Sequence, residues 1–358
     1  MIGLRKLSFK QKKELFIRIF EIPVKENWKE YLQPDYLNYF DYLNNVLYDK
    51  GSENRQIYSD HLKIADDKYL NRFLRKSDYY YKTKKLHNRI VADVGCGFGY
   101  LAVWYALSGA KKVFAIGYPF QTEFINELTA RAKKLNITDH SFQLEAIAHP
   151  LESGEATIGG LTPESVDFVF YNEVFEHLEE KLFLDALKAT YNTLNENGEL
   201  ISLTHNSDNP QVLDGLKKWW TKLEVESCRN YRKIKIKEEV PEINEADLER
   251  LVTATRGLLS NEFSKSIQDY KVSGAIKMPE RLLPAVDLKF DYICENYISP
   301  PHVLNMMRSC GFKASCYAGL MHSRRKMFFQ PLARRFNQLF ISLKKFSGTV
   351  IFAGTKKA

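Results

Sequence analysis

Two short runs of this chain hold residue types at spacings that can do chemistry. The first is Val91 to Tyr100, Val-Ala-Asp-Val-Gly-Cys-Gly-Phe-Gly-Tyr. A short apolar run ends in glycines at alternate positions, Gly95, Gly97 and Gly99, and a helix-like stretch from Leu101 to Leu107 follows at once. Strand, tight glycine turn and helix start let backbone come close to a nucleotide-like ligand. The spacing is G-x-G-x-G, not the G-x-G-x-x-G of pyrophosphate binders. Asp93 stands two residues before the first glycine. The second run holds Glu173, Glu176 and His177 at i, i+3 and i+4. That spacing puts two carboxylates and an imidazole on one face if a helical turn begins there. The trio suits acid/base work or the holding of a divalent cation such as Mg or Zn, with His205 or His302 as a fourth ligand.

Both runs need elements to position them, and the surrounding pattern predicts those elements. From residue 89, apolar strands alternate with helical stretches. The strands are Ile90–Val94, Lys112–Ile116, a short one within Ser141–Ala148, Val166–Phe170 and Glu199–Leu203. Phe120–Lys134 is amphipathic, with Phe124, Ile125, Leu128 and Ala132 at helical spacing, and Leu182–Leu194 is a second helix, punctuated by Asn197-Gly198. This alternation predicts a parallel sheet with both faces covered. Thr204 to about Asp291 interrupts it with Trp219-Trp220, a basic run from Arg229 to Lys237 and helical spacing from Glu245 to Leu259. The alternation resumes with a helix at Pro301–Cys310, a strand at Phe312–Leu320 and a last strand at Gly348–Thr355. The interruption, roughly 85 residues, is long enough for its own helices. Lying after strand five, at the carboxyl edge, it is the candidate substrate cap. The expected organisation is a helical extension over residues 1–88, the first part of the core over 89–205, the insertion over 206–291 and core completion over 292–358.

Composition narrows the class. The chain has 358 residues, 44% hydrophobic and 27% charged, which is ordinary for a soluble globular protein. No run approaches the roughly 18 apolar residues of a membrane span, and Met1 to Lys10 lacks the apolar core of a signal peptide. Cys96, Cys228, Cys294, Cys310 and Cys316 are odd in number with no C-x-x-C spacing, which fits reduced thiols in a cytoplasmic protein. The net charge of +8 is uneven: residues 296–358 hold eleven Lys or Arg and no Asp or Glu, leaving −3 (8 minus 11) on the rest. Ten of the twenty tyrosines lie in residues 1–88, including Tyr79-Tyr80-Tyr81. They fit a helical extension that packs its rings with wet hydroxyls, or else a lid offering aromatic contacts to a substrate.

With these residues in view, the chain resembles the class I S-adenosylmethionine (SAM) methyltransferases. The glycine turn is similar to that family's first motif. Val166-Asp-Phe-Val-Phe-Tyr-Asn-Glu-Val-Phe-Glu-His-Leu resembles its fourth-strand motif, and Leu194-Asn-Glu-Asn-Gly-Glu-Leu-Ile-Ser-Leu the turn into strand five. Cys310-Gly-Phe resembles the entry to strand six, and Val350-Ile-Phe-Ala-Gly-Thr-Lys the antiparallel last strand. The likeness covers residues 89–205 and 292–358. It implies an α/β fold, a Rossmann-like seven-stranded sheet in the order 3-2-1-4-5-7-6, with a helical N-terminal extension and a helical insertion after strand five. It implies SAM as cofactor. Asp93 with Gly95, Cys96, Gly97 and Gly99 would cradle its methionine and ribose, and Tyr118 would flank it after strand two. Glu145 and Ala146 would sit by the adenine, and Asn172 would face the sulfonium and the methyl acceptor. One position departs from the family: the acid expected at the end of strand two is Gly117, with Gln121 or Glu123 as the replacements at hand.

The acceptor side carries further resemblances. Glu173, Glu176 and His177 resemble the E-x-x-E-H of metal-dependent O-methyltransferases of ubiquinone biosynthesis and of small-RNA 2′-O-methyltransferases. Relatives without metal also end this motif in Glu-His-Leu, with the histidine structural or a base. Cys294-Glu-Asn-Tyr-Ile-Ser-Pro-Pro-His is similar to a segment of sugar- and polysaccharide-associated methyltransferases. There Tyr297 and Ser299 approach the acceptor; Ser299 also reads as a helix N-cap before Pro300 and Pro301. Pro331–Phe346 forms a basic amphipathic stripe, either packed on the sheet or laid on an anionic membrane or a lipid-linked substrate. Nucleic acid is not expected, since no RNA-binding motif accompanies the basic residues. The leading expectation is a SAM-dependent O-methyltransferase of a small-molecule or glycan-type acceptor. Its rivals are a catalytically silent methyltransferase-like scaffold and a metal-dependent RNA 2′-O-methyltransferase.

Overall fold

Val91, Val113 and Phe170 point to one side of a sheet, while Ala92, Phe114 and Tyr171 point to the other. Successive strand residues face opposite ways, so apolar residues at every position demand helices on both faces. The computed structural model meets that demand. It describes residues 7–25, 67–80, 83–135, 142–149, 151–152, 154–223, 228–278, 284–288, 292–319 and 348–357. The strands are β1 (Ile90–Val94), β2 (Lys112–Gly117), β3 (Leu144–Ala148), β4 (Val166–Asn172), β5 (Leu194–His205), β6 (Ala285–Asp287), β7 (Tyr292–Glu295), β8 (Lys313–Gly319) and β9 (Thr349–Thr355). Among the described residues, seven form one sheet in the order β3-β2-β1-β4-β5-β9-β8. β1 to β5 pair in parallel, and β9 runs antiparallel between β5 and β8. This is the expected 3-2-1-4-5-7-6 order.

One face is covered by α3 (Tyr100–Leu107) and α4 (Pro119–Lys134), the other by α5 (Glu180–Thr193) and α10 (Pro300–Ser309). α3 is buried all round because α1 (Phe9–Lys25) and α2 (Asp67–Tyr80) pack outside it. Phe9 and Phe16 meet the Trp104 ring edge-on, at 5.6 and 6.1 Å. The Trp104 indole N–H donates to Asp78 Oδ1 at 2.8 Å, which the Thr83 hydroxyl also approaches at 2.7 Å. The described part of the extension is thus an outer layer fixed by phenylalanine. The side chains of Tyr79 and Tyr80, and Tyr81 itself, lie outside what is described, as does the stripe at 331–346.

Two elements differ from expectation. β5 starts at Leu194, before Asn197-Gly198, because Asn197 takes a left-handed φ of 61° and lets the strand continue past a register shift against β4. β6 and β7 form a small antiparallel pair that the sequence reading missed; at three and four residues they are too short for a period to register. Between β5 and β6 lie α6 (Pro210–Leu223), α7 (Arg229–Glu239), α8 (Glu245–Ala254) and α9 (Ser260–Ser273). Asn244 caps α8 by accepting from the Asp247 N–H at 2.9 Å. Among the described residues no helix is long and apolar enough to cross a membrane.

Candidate active site

The site is built at the carboxyl ends of β1, β2 and β4. β1 ends in the glycine turn, and both Gly95 and Gly97 are left-handed, with φ of 65° and 53°. A Cβ at Gly95 would lie 2.5 Å from Val174 Cγ2, so glycine is required there for space as well as conformation. At Gly97 a Cβ would meet nothing within 4 Å, so the turn leaves open room above it. Gly99 is the N-cap residue of α3. Asp93 is buried, and its carboxyl accepts the Ala102 N–H from the first turn of α3. Its Oδ2 has no hydrogen-bond partner among the described residues. Burial outweighs the Ala102 bond and pushes the carboxyl up to about 8. The Cys96 thiol beside it is also pushed up, by burial first and by the Asp93 charge second.

On the β2 side, the acid's absence at Gly117 has a structural counterpart. A Cβ at Gly117 would collide with Gln121 Oε1 and come 3.0 Å from Cys96 Sγ. Gln121, in the first turn of α4, therefore folds its carboxamide into the space a side chain at 117 would take. Its Oε1 accepts the Tyr118 N–H at 2.9 Å. Glu123, the other candidate replacement, is exposed on α4. Glu145 is not at the cofactor end. It is the second residue of β3, pairs in register with Phe114 and is ion-paired with Lys112 at 2.6 Å. Ala146 is likewise mid-strand. β3 runs to Ala148, so the residues reaching the site are His149 and Leu151. The His149 N–H donates to the Gly117 carbonyl at 3.0 Å, carrying the β2–β3 pairing to the strand ends. The sequence reading placed Glu145 and Ala146 by the adenine and did not name His149, which pairing with β2 brings to the strand end.

β4 ends at Asn172, and the chain turns at Glu173 with φ of 54°, a left-handed conformation rare outside glycine. The Glu173 N–H donates to the Leu203 carbonyl at 2.8 Å, so β5 holds this turn. Observed backbone strain of this kind clusters at functional sites. Phe175–His177 then forms one 3-10 turn, not an α-helix, and the i, i+3, i+4 face is not built. Glu173 and His177 line the cavity, while Glu176 turns inward and accepts from Thr204 Oγ1 at 2.8 Å in a buried contact. Among the described residues no three His, Cys, Asp or Glu side chains come together to hold a metal. The expected metal trio of Glu173, Glu176 and His177 is thus corrected: the tighter turn splits it between cavity and core. His205 contacts Ser207 Oγ at 2.9 Å and His302 the Glu180 carboxylate at 3.6 Å. Asn172 does not line the cavity; Glu173 does.

The cavity is about 340 Å³ and is lined by Gly95, Gly117, Tyr118, Gln121 and His149 on one side and Glu173, Val174 and His177 on the other. A second cleft of about 630 Å³ adjoins it, and Leu178, Glu179, Leu259 and Ile293 line both. Leu259 belongs to the insertion, as do Gly257, Asn261 and Glu262 in the second cleft. Tyr297 also lines that cleft; its hydroxyl donates to Asp208 Oδ1 at 2.8 Å, and burial with this bond pushes the phenol up to about 12. Ser299 stands at the N-cap position of α10 without a side-chain cap bond and does not line the cleft. The loop after β4 is braced from the β7 side, where the Asn296 N–H donates to the Glu176 carbonyl at 2.7 Å and its Nδ2 to the Leu178 carbonyl at 3.1 Å.

Comparison with known proteins finds methyltransferases. A family described as a methyltransferase domain matches residues 86–255. No curated protein matches the chain. Among solved structures, a geranyl diphosphate C-methyltransferase from Streptomyces coelicolor is 14% identical, with 90% of this chain and 99% of that one covered and a TM-score of 0.43. A SAM-dependent methyltransferase from Mesorhizobium loti is 11% identical, with 79% and 100% covered and a TM-score of 0.39. Such distant likenesses say nothing about the acceptor. The matched methyltransferase domain, residues 86–255, takes in the glycine turn and strands β1 to β5 of this sheet.

Proposed function

We propose that this chain moves a methyl group from SAM to a hydroxyl of a small-molecule or glycan-type acceptor. The reading rests on one observation above others: His177 lines the cofactor cavity beside the mouth of a second cleft. The glycine turn beside the cavity fits SAM. The room above Gly97 is free of any atom a Cβ would meet, and a buried Asp93 oxygen lacks a hydrogen-bond partner among the described residues. Gly95, Tyr118 and Gln121 would hold the cofactor, together with Asp93 beneath the glycine turn and with His149 at the end of β3. SAM, when bound, supplies a methyl group already activated on a sulfonium.

The chain's own residues then have three tasks. The second cleft aligns the acceptor, since in-line transfer depends chiefly on positioning. His177 would take the proton of the acceptor hydroxyl as that oxygen receives the methyl group. Leu178, Leu259 and Ile293 wall the junction and exclude water, and with Leu259 the insertion acts as a cap. The test begins with calorimetric titration of the purified protein with S-adenosylhomocysteine. Micromolar affinity opens an acceptor screen; silence at millimolar ligand favours the scaffold reading. With an acceptor in hand, His177→Ala is expected to lower turnover by about 10²-fold or more while leaving S-adenosylhomocysteine affinity within about threefold. Unchanged turnover would remove His177 from the chemistry.

A further inference from the structure

Basic residues of this chain meet two different fates. On α7, Arg229 and Lys233 share Glu249, while Lys235 pairs with Glu238 and Lys237 with Glu245, each at 2.7 Å. That run is answered by acids within the insertion. The layer outside α3 is different. α1 turns Phe16, Ile19 and Phe20 inward, and Lys10, Glu14, Ile17 and Arg18 fall on its opposite, exposed stripe. Lys10 pairs with Glu14 at 4.0 Å, and Arg18 has no ion pair among the described residues. Arg131 Nη1 donates to the Ile19 carbonyl at 3.4 Å, which brings the last turn of α4 beside Arg18. Lys133 and Lys134 of that turn are exposed and also lack an ion pair among the described residues. Arg18, Arg131, Lys133 and Lys134 thus gather where two helices meet, against Glu127 one turn back on α4. Cations in a last turn complement the helix dipole, which accounts for those on α4 but not for Arg18. Nor does it account for Ile17, the next residue, which is 37% exposed. The chain outside residues 296–358 sums to −3, so placement by the fold, not composition, makes this face positive.

We propose that this face of α1 and α4 is a docking surface for an anionic lipid membrane. Lipid headgroups present a plane of negative charge that the four cations can meet together, and Ile17 offers the boundary an apolar side chain that a phosphate backbone does not call for. Lys134 stands at the far end of α4 from Gln121, about 20 Å along the axis, so docking and ligand binding in the cavity are separate events. The experiment is sedimentation of the full chain with vesicles of phosphatidylcholine alone and of phosphatidylcholine mixed with phosphatidylglycerol. Wild type is expected to pellet with the anionic vesicles only, and less as salt rises. Lys133→Gln with Lys134→Gln, shown to be folded by thermal melting, is expected to weaken that binding by about tenfold or more, and Arg18→Gln by about three- to fivefold. Lys235→Gln with Lys237→Gln removes the same charge from α7 and is expected to leave binding unchanged. Binding that survives the α1 and α4 changes, or falls equally with the α7 pair, overturns the assignment of this face. No binding to anionic vesicles, or equal binding to neutral ones, overturns the membrane as its partner. Retention on duplex RNA at a salt concentration where vesicles do not bind overturns it in favour of nucleic acid.

Discussion

Asp93 shows how one buried group sets a pH dependence. Its carboxyl sits at about 8 in the fold against 3.8 for an exposed aspartate, with burial the dominant cause. The folded state therefore binds the proton more tightly than the unfolded one. The stability this gives is fully present below about pH 4 and is lost as pH rises through about 8. Asp93→Asn keeps the size and removes the titration. Thermal melts from pH 5 to pH 9 should show the wild type falling away from the Asn variant with rising pH; parallel curves would contradict the burial argument. The motif itself was legible in the sequence, because a glycine turn after an apolar run is a local signal. That the aspartate holds a proton was not, because it depends on α3 folding back over the strand.

At the scale of elements, β4 and α5 are joined by more than apolar packing. Thr190 Oγ1 donates to the Ala186 carbonyl at 2.7 Å within α5, so the Tyr171 hydroxyl 2.8 Å away must be the donor to Thr190. Burial, the first cause of its shift, pushes the Tyr171 phenol up. Tyr171→Phe removes that donor and leaves the threonine's own bond in place. The expected cost is about 1 kcal/mol of unfolding free energy, read from denaturant titration. No measurable loss would mean the hydroxyl is inert. Most strands and helices of the core were readable, β5 with its early start at Leu194 excepted, because each carries its period within its own length. The turn after β4 was not, since a helix and a 3-10 turn share their spacing over five residues, and the choice falls to Glu173 being held by Leu203 and Asn296 holding the Glu176 carbonyl.

The whole molecule has separate apolar cores. The sheet faces form two, while Ile236, Leu248, Leu251, Val252, Phe263, Ile267 and Leu288 form another within residues 206–291. A cluster with its own buried residues opens as its own unit. Leu251→Ala, a fully buried position, should cost about 2–5 kcal/mol locally. Hydrogen exchange is expected to quicken across α7 to α9 while amides of β1, β4 and β5 keep their protection. Loss of protection throughout would show that insertion and sheet unfold together.

What this sequence determined by itself is the order of the strands and helices of the main sheet, the glycine turn between β1 and α3, and the stretch that interrupts their alternation. All follow from local periodicity and from backbone conformations that only glycine takes cheaply. What the tertiary structure decided is which polar residues reach the cavity. Pairing with β2 sets β3 so that Glu145 meets Lys112 and His149 meets the site. The empty position at Gly117 is filled from the next helix by Gln121, and Glu176 turns from the cavity to Thr204. Each of these choices rests on contacts between segments distant in the chain, which no spacing within one segment can encode.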